Sequence, residues 1–572
     1  MKRAYLYKTP DFIKIGYAVL HTTLINKNLR MKTINKVIAF FTLAASFTLF
    51  GCEDFLEYTP NDRVTLDNFF TSPADLQTAT AGLYNKVWFD FNDKFYYGLG
   101  DGRSNNLMAP YSDYIYPFTT LTETSLTGPL VSAWKSFYNV IGQSNNTINN
   151  ILENAKNVTD EQKNAAIAEA RFMRGTAYWY LASLWGDVII IEDNTVLVNN
   201  PIVNTNPRAD VFEFAMRDLE FAAKYLPETA SAAGRLTKYS AFGMLSRIYL
   251  SRSGLGSDPN VGTRDQAYLD LAKNAAEKVC KNANLILMEN YEDLFKVENN
   301  NNSESLFALQ WVPNGDYGVT NTQQAYFAIS STITGDDAAW GGYTFASYEM
   351  MKYYNPQDEI RRKATFMARG DFYPEINSAN GGYTQDYDDR CHVKKGVVGS
   401  TTDTGGKSGR MNSALNSYML RLAEVYLIYA EAILGNQAST ADPDALLYFN
   451  KVRRRAQMPE LGSITFNDIF YERRVELAME GQFWYDLVRR AYYKQQEVLN
   501  FIDTQERTQF YTYDRVTHTC TASTSDSREV DTATPSRMLL PYPESEVIQN
   551  SLLKEAPVPY SFTEEKITDL FD

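Results

Sequence analysis

Histidine and cysteine are nearly absent from this chain of 572 residues: three of the first (His21, His392, His518) and four of the second (Cys52, Cys280, Cys391, Cys520). A zinc centre needs about four ligands at workable spacings. Cys391-His392 is the one place where two such residues meet, so no metal centre and no cofactor is expected. Four scattered cysteines also argue against a disulfide framework. The patterns Gly-x-Ser-x-Gly, His-Glu-x-x-His and Gly-x-x-x-x-Gly-Lys are missing, which removes common marks of hydrolases, zinc proteases and nucleotide enzymes. Past residue 51 no apolar run is long enough to cross a bilayer. Basic residues are outnumbered, 55 Lys and Arg against 69 Asp and Glu, for a net charge of −14. Residues 1–51 contribute a net +7, so the chain without them carries −21. A surface that acidic repels phosphate backbones and excludes nucleic acid as a partner.

Aromatic residues are abundant at 14%, with 39 Tyr, 32 Phe and 7 Trp. They serve either to fill a core or to present flat faces to sugar rings and partner proteins, and core filling is the commoner use of any single one.

From Met31 the chain reads as an export signal. Lys32 and Lys36 form a positive start, Val37 to Phe50 an almost wholly apolar run, and Leu49-Phe50-Gly51-Cys52 the end. This ending resembles a bacterial lipobox, which implies cleavage before Cys52 and acylation of its sulfur; two or three acyl chains make a stable membrane anchor. Residues 1–30 precede a good start at Met31 and are read as a mis-assigned extension. Glu53 and Asp54 resemble the short acidic tag that sends some Gram-negative lipoproteins to the outer surface. With Cys52 spent on lipid, the remaining three cysteines can form at most one bridge.

Residues 52–72 read as an extended, lipidated tether. A helical region follows over 73–312. Leu76, Ala79, Leu83 and Val87 lie at helical spacing, and Thr159-Asp-Glu-Gln162 is a capping box opening a helix with Ala170, Met173, Ala177, Leu181 and Leu184 on one stripe, stopped by Gly186. Pro207 precedes another helix, and 237–252 and 264–281 continue the pattern, which predicts stacked antiparallel helix pairs. Gly100-Asp-Gly-Arg-Ser-Asn-Asn106 reads as a loop, and Leu306 to Trp311 as a strand. Residues 313–410 are rich in Gly, Asp, Asn, Thr and Tyr and read as a long-looped insertion with short strands, where function concentrates. In the last region, 411–572, helices are expected from Tyr418 onward, from Asp442 to Gln457, and from about Asn467 to Arg490.

Several phrases resemble the SusD/RagB family of outer-membrane nutrient-binding lipoproteins, in the family's order. They are Trp134-x3-Tyr138-x2-Ile141-x3-Asn145; Glu169-Ala-Arg-Phe-Met-Arg174 through Trp185-Gly-Asp187; Arg421-Leu-Ala-Glu-Val-Tyr-Leu-Ile-Tyr-Ala-Glu431; Phe449-Asn-Lys-Val-Arg-Arg-Arg-Ala456; Glu472-Arg-Arg-x-Glu476-Leu-Ala-x-Glu480-Gly-Gln-x-Trp484-x-Asp486-Leu-x-Arg489; and Leu540-Pro-x-Pro543. With the lipobox, the resemblance covers nearly all of residues 52–560. Phe483 stands where the family usually has Arg, which puts one internal ion pair in doubt. The resemblance implies a mostly α-helical protein with four tetratricopeptide-like units and an irregular loop-rich region. It also implies a surface receptor that binds a nutrient, a glycan or alternatively a peptide, and passes it to a TonB-dependent SusC-like transporter. It implies no enzyme.

The charges of 472–490 fit that view. Arg473 and Glu476 are three apart, Asp486 lies three and four before Arg489 and Arg490, and apolar residues are interleaved with them, so mutually satisfied buried pairs are expected. A carboxylate held ionised by Arg is a poor general acid, and nothing in the spacing nominates the couple of a glycosidase. Sugar rings stack on Trp and Tyr while their hydroxyls pair with Asp, Asn and Arg. On that ground the expected ligand contacts are Trp88, Asp101, Arg103, Asn105 and Asn106 near the first loop, and Trp311, Tyr317, Trp340 and Tyr343 around the insertion. Packing or loop capping is the competing role of each. A helical scaffold that binds only proteins is the other class of function the sequence allows.

Overall fold

A computed structural model describes residues 69–259, 261–336, 339–523 and 530–571. The signal segment, Cys52 and most of the tether lie outside the described residues. The helices start where local chemistry tells them to. Thr159 and Gln162 form both bonds of the capping box, at 3.2 and 3.0 Å, and open the helix Asp160–Leu184. Thr237 and Ser240 do the same for Lys238–Arg252, and Asp442 caps Pro443–Arg455 through the N–H groups of Asp444 and Ala445. Past the helix end at Leu184, Gly186 takes a left-handed φ of +81°.

Seven long helices stack in chain order: α1 (Gly128–Asn154), α2 (Asp160–Leu184), α3 (Arg208–Tyr225), α4 (Lys238–Arg252), α5 (Gln266–Asn282), α6 (Leu422–Leu434) and α7 (Pro443–Arg455), each packed on the next. This is the expected mostly α-helical, helix-pair array. Between α5 and α6 the chain leaves the array for some 140 residues and returns. That excursion carries short helices and two-residue strands, among them Phe345–Ala346, Phe366–Met367 and His392–Val393, which with Leu107–Met108 make one small antiparallel sheet. One apolar core runs through the array, the excursion and the C-terminal segment. Among the described residues no helix is long and apolar enough to cross a membrane.

Three local expectations are corrected. The stretch from Tyr418 is not yet helix: Ser417–Arg421 is a strand paired antiparallel with Ser305–Leu309, and α6 begins only at Leu422. The pairing partner lies more than a hundred residues upstream, beyond the reach of a periodicity argument. The long helix expected from about Asn467 to Arg490 is two, Phe466–Glu476 and Phe483–Ala491, broken where Met479 and Gly481 take φ of +63° and +67°. Gly100 to Asn106 is no open loop, because Gly98–Arg103 is a wide helical turn buried against that break. A Cβ on Gly100 would stand 2.3 Å from the Cα of Gly481, so the two chain segments touch backbone to backbone.

The break also redirects the charges. Arg473 does not pair with Glu476; it reaches Asp486 at 2.9 Å and Glu424 at 3.2 Å. Glu476 is gripped by Arg421, Arg361 and Arg455, while Glu431 takes Arg489 and Arg264 at 2.5 and 2.7 Å. Burial pushes these carboxyls upward, but the facing guanidiniums win: Glu431 is held down at about 2, and Glu476 is held well below the usual range. Asp486 and Arg489 pair within their helix as expected, at 2.9 Å. Phe483 packs at a tilt against Phe470, centroids 4.9 Å apart, and takes the Arg474 guanidinium over its ring at 4.8 Å. Among the described residues no ion pair to Arg474 forms; it donates to Asn106 and to the Asn105 carbonyl instead.

Candidate functional site

The nine residues nominated from sequence fall into two groups. Six are interior. Trp88 is wholly buried, its ring edge-on to Phe91, Phe137, Tyr180 and Phe307 and its Nε1 donating to the Leu83 carbonyl at 3.0 Å. Asp101 accepts from the N–H groups of Met479 and Gly481 at 2.8 and 2.9 Å and from Asn106 at 3.1 Å, and so fastens the break between the two C-terminal helices. Burial nonetheless pushes its carboxyl up to about 6. Arg103 pairs with Glu123 at 2.5 Å, donates to the Arg537 carbonyl and lies over the Trp484 ring. Asn105 sits in a left-handed turn, φ +62°, with its carbonyl taken by Ser347 and Arg474. Trp311 donates from Nε1 to Ser417 and is buried against Phe89. Trp88, Asp101, Arg103, Asn105, Asn106 and Trp311 are therefore corrected to interior positions: all six are buried, so their faces do not reach solvent, and the bonds of Trp88, Asp101, Arg103, Asn106 and Trp311 hold chain segments together, whereas the Asn105 side-chain amide and the Nε and Nη1 of Arg103 find no hydrogen-bond partner among the described residues.

The other three are outside. Tyr317, Tyr343 and Trp340 are 64%, 53% and 38% exposed. They belong to a connected aromatic surface whose other members were not nominated. Tyr111 meets Tyr343 edge to face at 5.7 Å, Tyr326 meets Trp340 at 5.7 Å, and the Lys94 ammonium lies over both Tyr326 and Tyr114, at 4.7 and 5.2 Å. Tyr317 leans on Phe89 at 4.7 Å and points its hydroxyl to Asp93 at 3.4 Å. Tyr387 packs its hydroxyl against Gly342. Asp93 also accepts from Thr322 and pairs with Lys94. The Arg410 guanidinium lies 5.0 Å over the Trp340 ring and 3.7 Å from Asp336, and its Nε has no partner among the described residues. Planar faces and both signs of polar group thus stand together.

Such a surface stacks on apolar ring faces and hydrogen-bonds to hydroxyls around them. Among the described residues no group of three or more His, Cys, Asp or Glu is placed to hold a metal ion. A cleft of about 750 Å³ between Leu285–Glu292 and Lys451–Gln457 shares no residue with the aromatic set. The missed members could be found only in part from sequence. Tyr111-Ser-Asp-Tyr114 and Tyr387 lie in polar, Gly-poor loops of the kind that stay exposed, but nothing local joins them to residue 343.

Residues 303–558 match the family model described as SusD family, and residues 54–250 match one described as starch-binding associating with outer membrane. A SusD-like protein of Bacteroides ovatus is 42% identical over 555 residues, covering 93% of this chain and 99% of that one. A crystal structure solved with xylogluco-oligosaccharide is 43% identical with a TM-score of 0.79, covering 86% of this chain and 100% of that one. The starch-binding protein SusD of Bacteroides thetaiotaomicron is 24% identical over 388 residues, 60% of this chain and 67% of its own. The chain belongs to the SusD family, whose members bind carbohydrate and are not enzymes.

Proposed function

We propose that the protein is a cell-surface lipoprotein that captures an oligosaccharide on the aromatic surface around Trp340 and Tyr343 and hands it to a TonB-dependent SusC-like transporter in the outer membrane. The observation that carries the ligand reading is the set Tyr111, Tyr343, Trp340 and Tyr114, exposed at the surface around the half-buried Tyr326, while the rest of the aromatic content is largely used in the core. Exposed aromatic clusters of this kind are costly unless they bind something. The relative solved with xylogluco-oligosaccharide makes that sugar class the first to test. The lipid anchor rests on the Leu-x-Gly-Cys52 ending and the apolar run before it. The outer-membrane setting rests on the description of the matching family model, and the transporter partnership on the family resemblance. Ligand would favour a closed receptor–transporter state by binding it more tightly than the open one.

The test is calorimetric titration of the chain from residue 53 onward with xylogluco-oligosaccharides, then with a wider glycan and peptide panel. Binding that weakens about three- to tenfold in Trp340→Ala and again in Tyr343→Ala, without a change in melting temperature, supports the reading. Unchanged affinity in both variants removes the aromatic surface as the site. Binding to peptides alone replaces the glycan.

A further inference from the structure

Three exposed rings of the aromatic surface each follow an aspartate in the chain: Asp113-Tyr114, Asp316-Tyr317 and Asp386-Tyr387. The three come from separate loops, and all three carboxylates are exposed. Among the described residues none of them pairs with a cation. Each stands one residue, about 3.8 Å of chain, from the ring it precedes.

The cations of the same surface are matched. Lys94, with its ammonium over the Tyr114 and Tyr326 rings, pairs with Asp93. Burial pushes that ammonium down, yet the Asp93 carboxylate holds it above the ordinary lysine range, so it stays charged. Asp93 is itself fixed in place, accepting from Thr322 at 2.5 Å and from the Tyr317 hydroxyl at 3.4 Å. Arg410, over the Trp340 ring, has Asp336 at 3.7 Å. Arg390 lies over the Phe345 ring and gives its guanidinium to Asp388 at 2.6 Å. Lys407, exposed three residues before Arg410, has no carboxylate partner among the described residues and stands against three unpaired aspartates. A matched pair contributes little field at a distance, because its two charges cancel. The unpaired aspartates therefore set the sign over the rings. A carboxylate accepts hydrogen bonds and donates none, which suits the hydroxyls of a sugar. It repels a second carboxylate or a sulfate ester brought to the ring beside it.

We infer that Asp113, Asp316 and Asp386 decide the charge class of the ligand: they accept from the hydroxyls of a neutral glycan stacked on the neighbouring rings and turn away glycans that carry uronic acid or sulfate, while Asp93 and Asp336 keep Lys94 and Arg410 from attracting such groups. The inference rests on the proposed glycan reading of this surface and names which glycans it admits.

Two probes of one length test it: xylogluco-oligosaccharide, and the same oligosaccharide with its primary hydroxyls oxidised to carboxylates. If another neutral glycan of a wider panel binds instead, it replaces the first in both forms. Calorimetric titration of the chain from residue 53 onward, at low salt, should show the oxidised probe binding about tenfold more weakly or worse. Raising the salt to about 0.5 M should narrow that gap, because exposed charges are then screened within a few ångströms, and should leave the neutral affinity unchanged. The triple variant Asp113→Asn, Asp316→Asn, Asp386→Asn keeps shape and an accepting oxygen at three exposed positions. It should recover most of the affinity for the oxidised probe and hold the neutral one within about threefold, at an unchanged melting temperature. Asp93→Asn, which unmasks Lys94, should also strengthen the oxidised probe. Equal affinity for the two probes, or tighter binding of the oxidised one, overturns the inference and leaves the glycan reading standing. So does an oxidised probe that stays weak at high salt and in the triple variant, since shape rather than charge then excludes it. A panel in which only acidic glycans bind overturns it as well. If no glycan binds at all, the reading of the surface fails and this inference fails with it.

Discussion

Glu431 offers the cleanest measure of how much the buried charges hold. Its carboxylate is wholly buried and meets Arg489 through both oxygens, at 2.5 and 2.7 Å, and Arg264 at 2.7 Å. Folding takes it from an ordinary 4.5 to about 2, with burial opposing and the two arginines prevailing. A fall of that size is worth about 3 kcal/mol of folding free energy. In Glu431→Gln the amide keeps the shape and removes the charge. Arg489 retains Asp486 at 2.9 Å, but Arg264 is left with the Gly435 carbonyl as its hydrogen-bond acceptor. Breaking a buried pair from one side costs about 3–5 kcal/mol, so two independent routes agree on roughly 3 kcal/mol. The sign follows from the folded value lying below the unfolded one. The stabilisation is fully present above about pH 5 and is lost as pH falls toward 2. Urea unfolding followed by tryptophan fluorescence should therefore show the same loss at pH 7.5 and at pH 5.5. A loss under about 1 kcal/mol, or one that halves between those two pH values, refutes the assignment of the pair as a stabilising, permanently ionised contact.

Trp88→Ala empties a fully buried site ringed by four aromatic side chains and should cost about 3–5 kcal/mol in urea unfolding; a near-neutral result would return Trp88 to the surface. Gly481→Ala puts a Cβ 2.8 Å from the Tyr96 carbonyl oxygen at a φ of +67°. It should destabilise by about 1–3 kcal/mol, read as a lower melting temperature; an unchanged one would show that the break can relax. Cys52→Ala should shift the protein from the membrane fraction to the soluble one, with mass spectrometry finding no acylated N-terminus. Continued membrane association would remove the lipid anchor from the proposal.

What could be read from sequence was whatever is settled within a turn or two of helix. Thr159 with Gln162, Pro207, and Asp442 lie next to the helices they start. Periodic apolar residues mark the buried faces of α1 to α5, because helix geometry repeats every 3.6 residues. The order of motifs from Trp134 to Pro543 carried the family for the same reason: those phrases sit on single helices or short segments. The glycines of Trp340 to Tyr343 marked a break in regular structure; the structure makes it a short helical turn with Gly341 buried and Trp340 and Tyr343 exposed.

Tertiary structure alone decided what depends on residues far apart in the chain. Asp101 fastens to Met479 and Gly481, and Tyr418 joins a strand with a partner near residue 308. Gly100 to Asn106 looked like solvent-exposed loop because its residues are polar and small. They are buried because Asp101, Arg103 and Asn106 find partners across the molecule in Met479, Gly481, Glu123 and Arg474, which no local pattern records. The same reason hid the aromatic surface. Tyr111, Tyr326 and Tyr387 are ordinary residues in three separate segments, and they share one surface only where folding sets them beside Trp340 and Tyr343. Local chemistry settles where helices begin and which faces they bury; which rings are left facing solvent is a property of the packed whole.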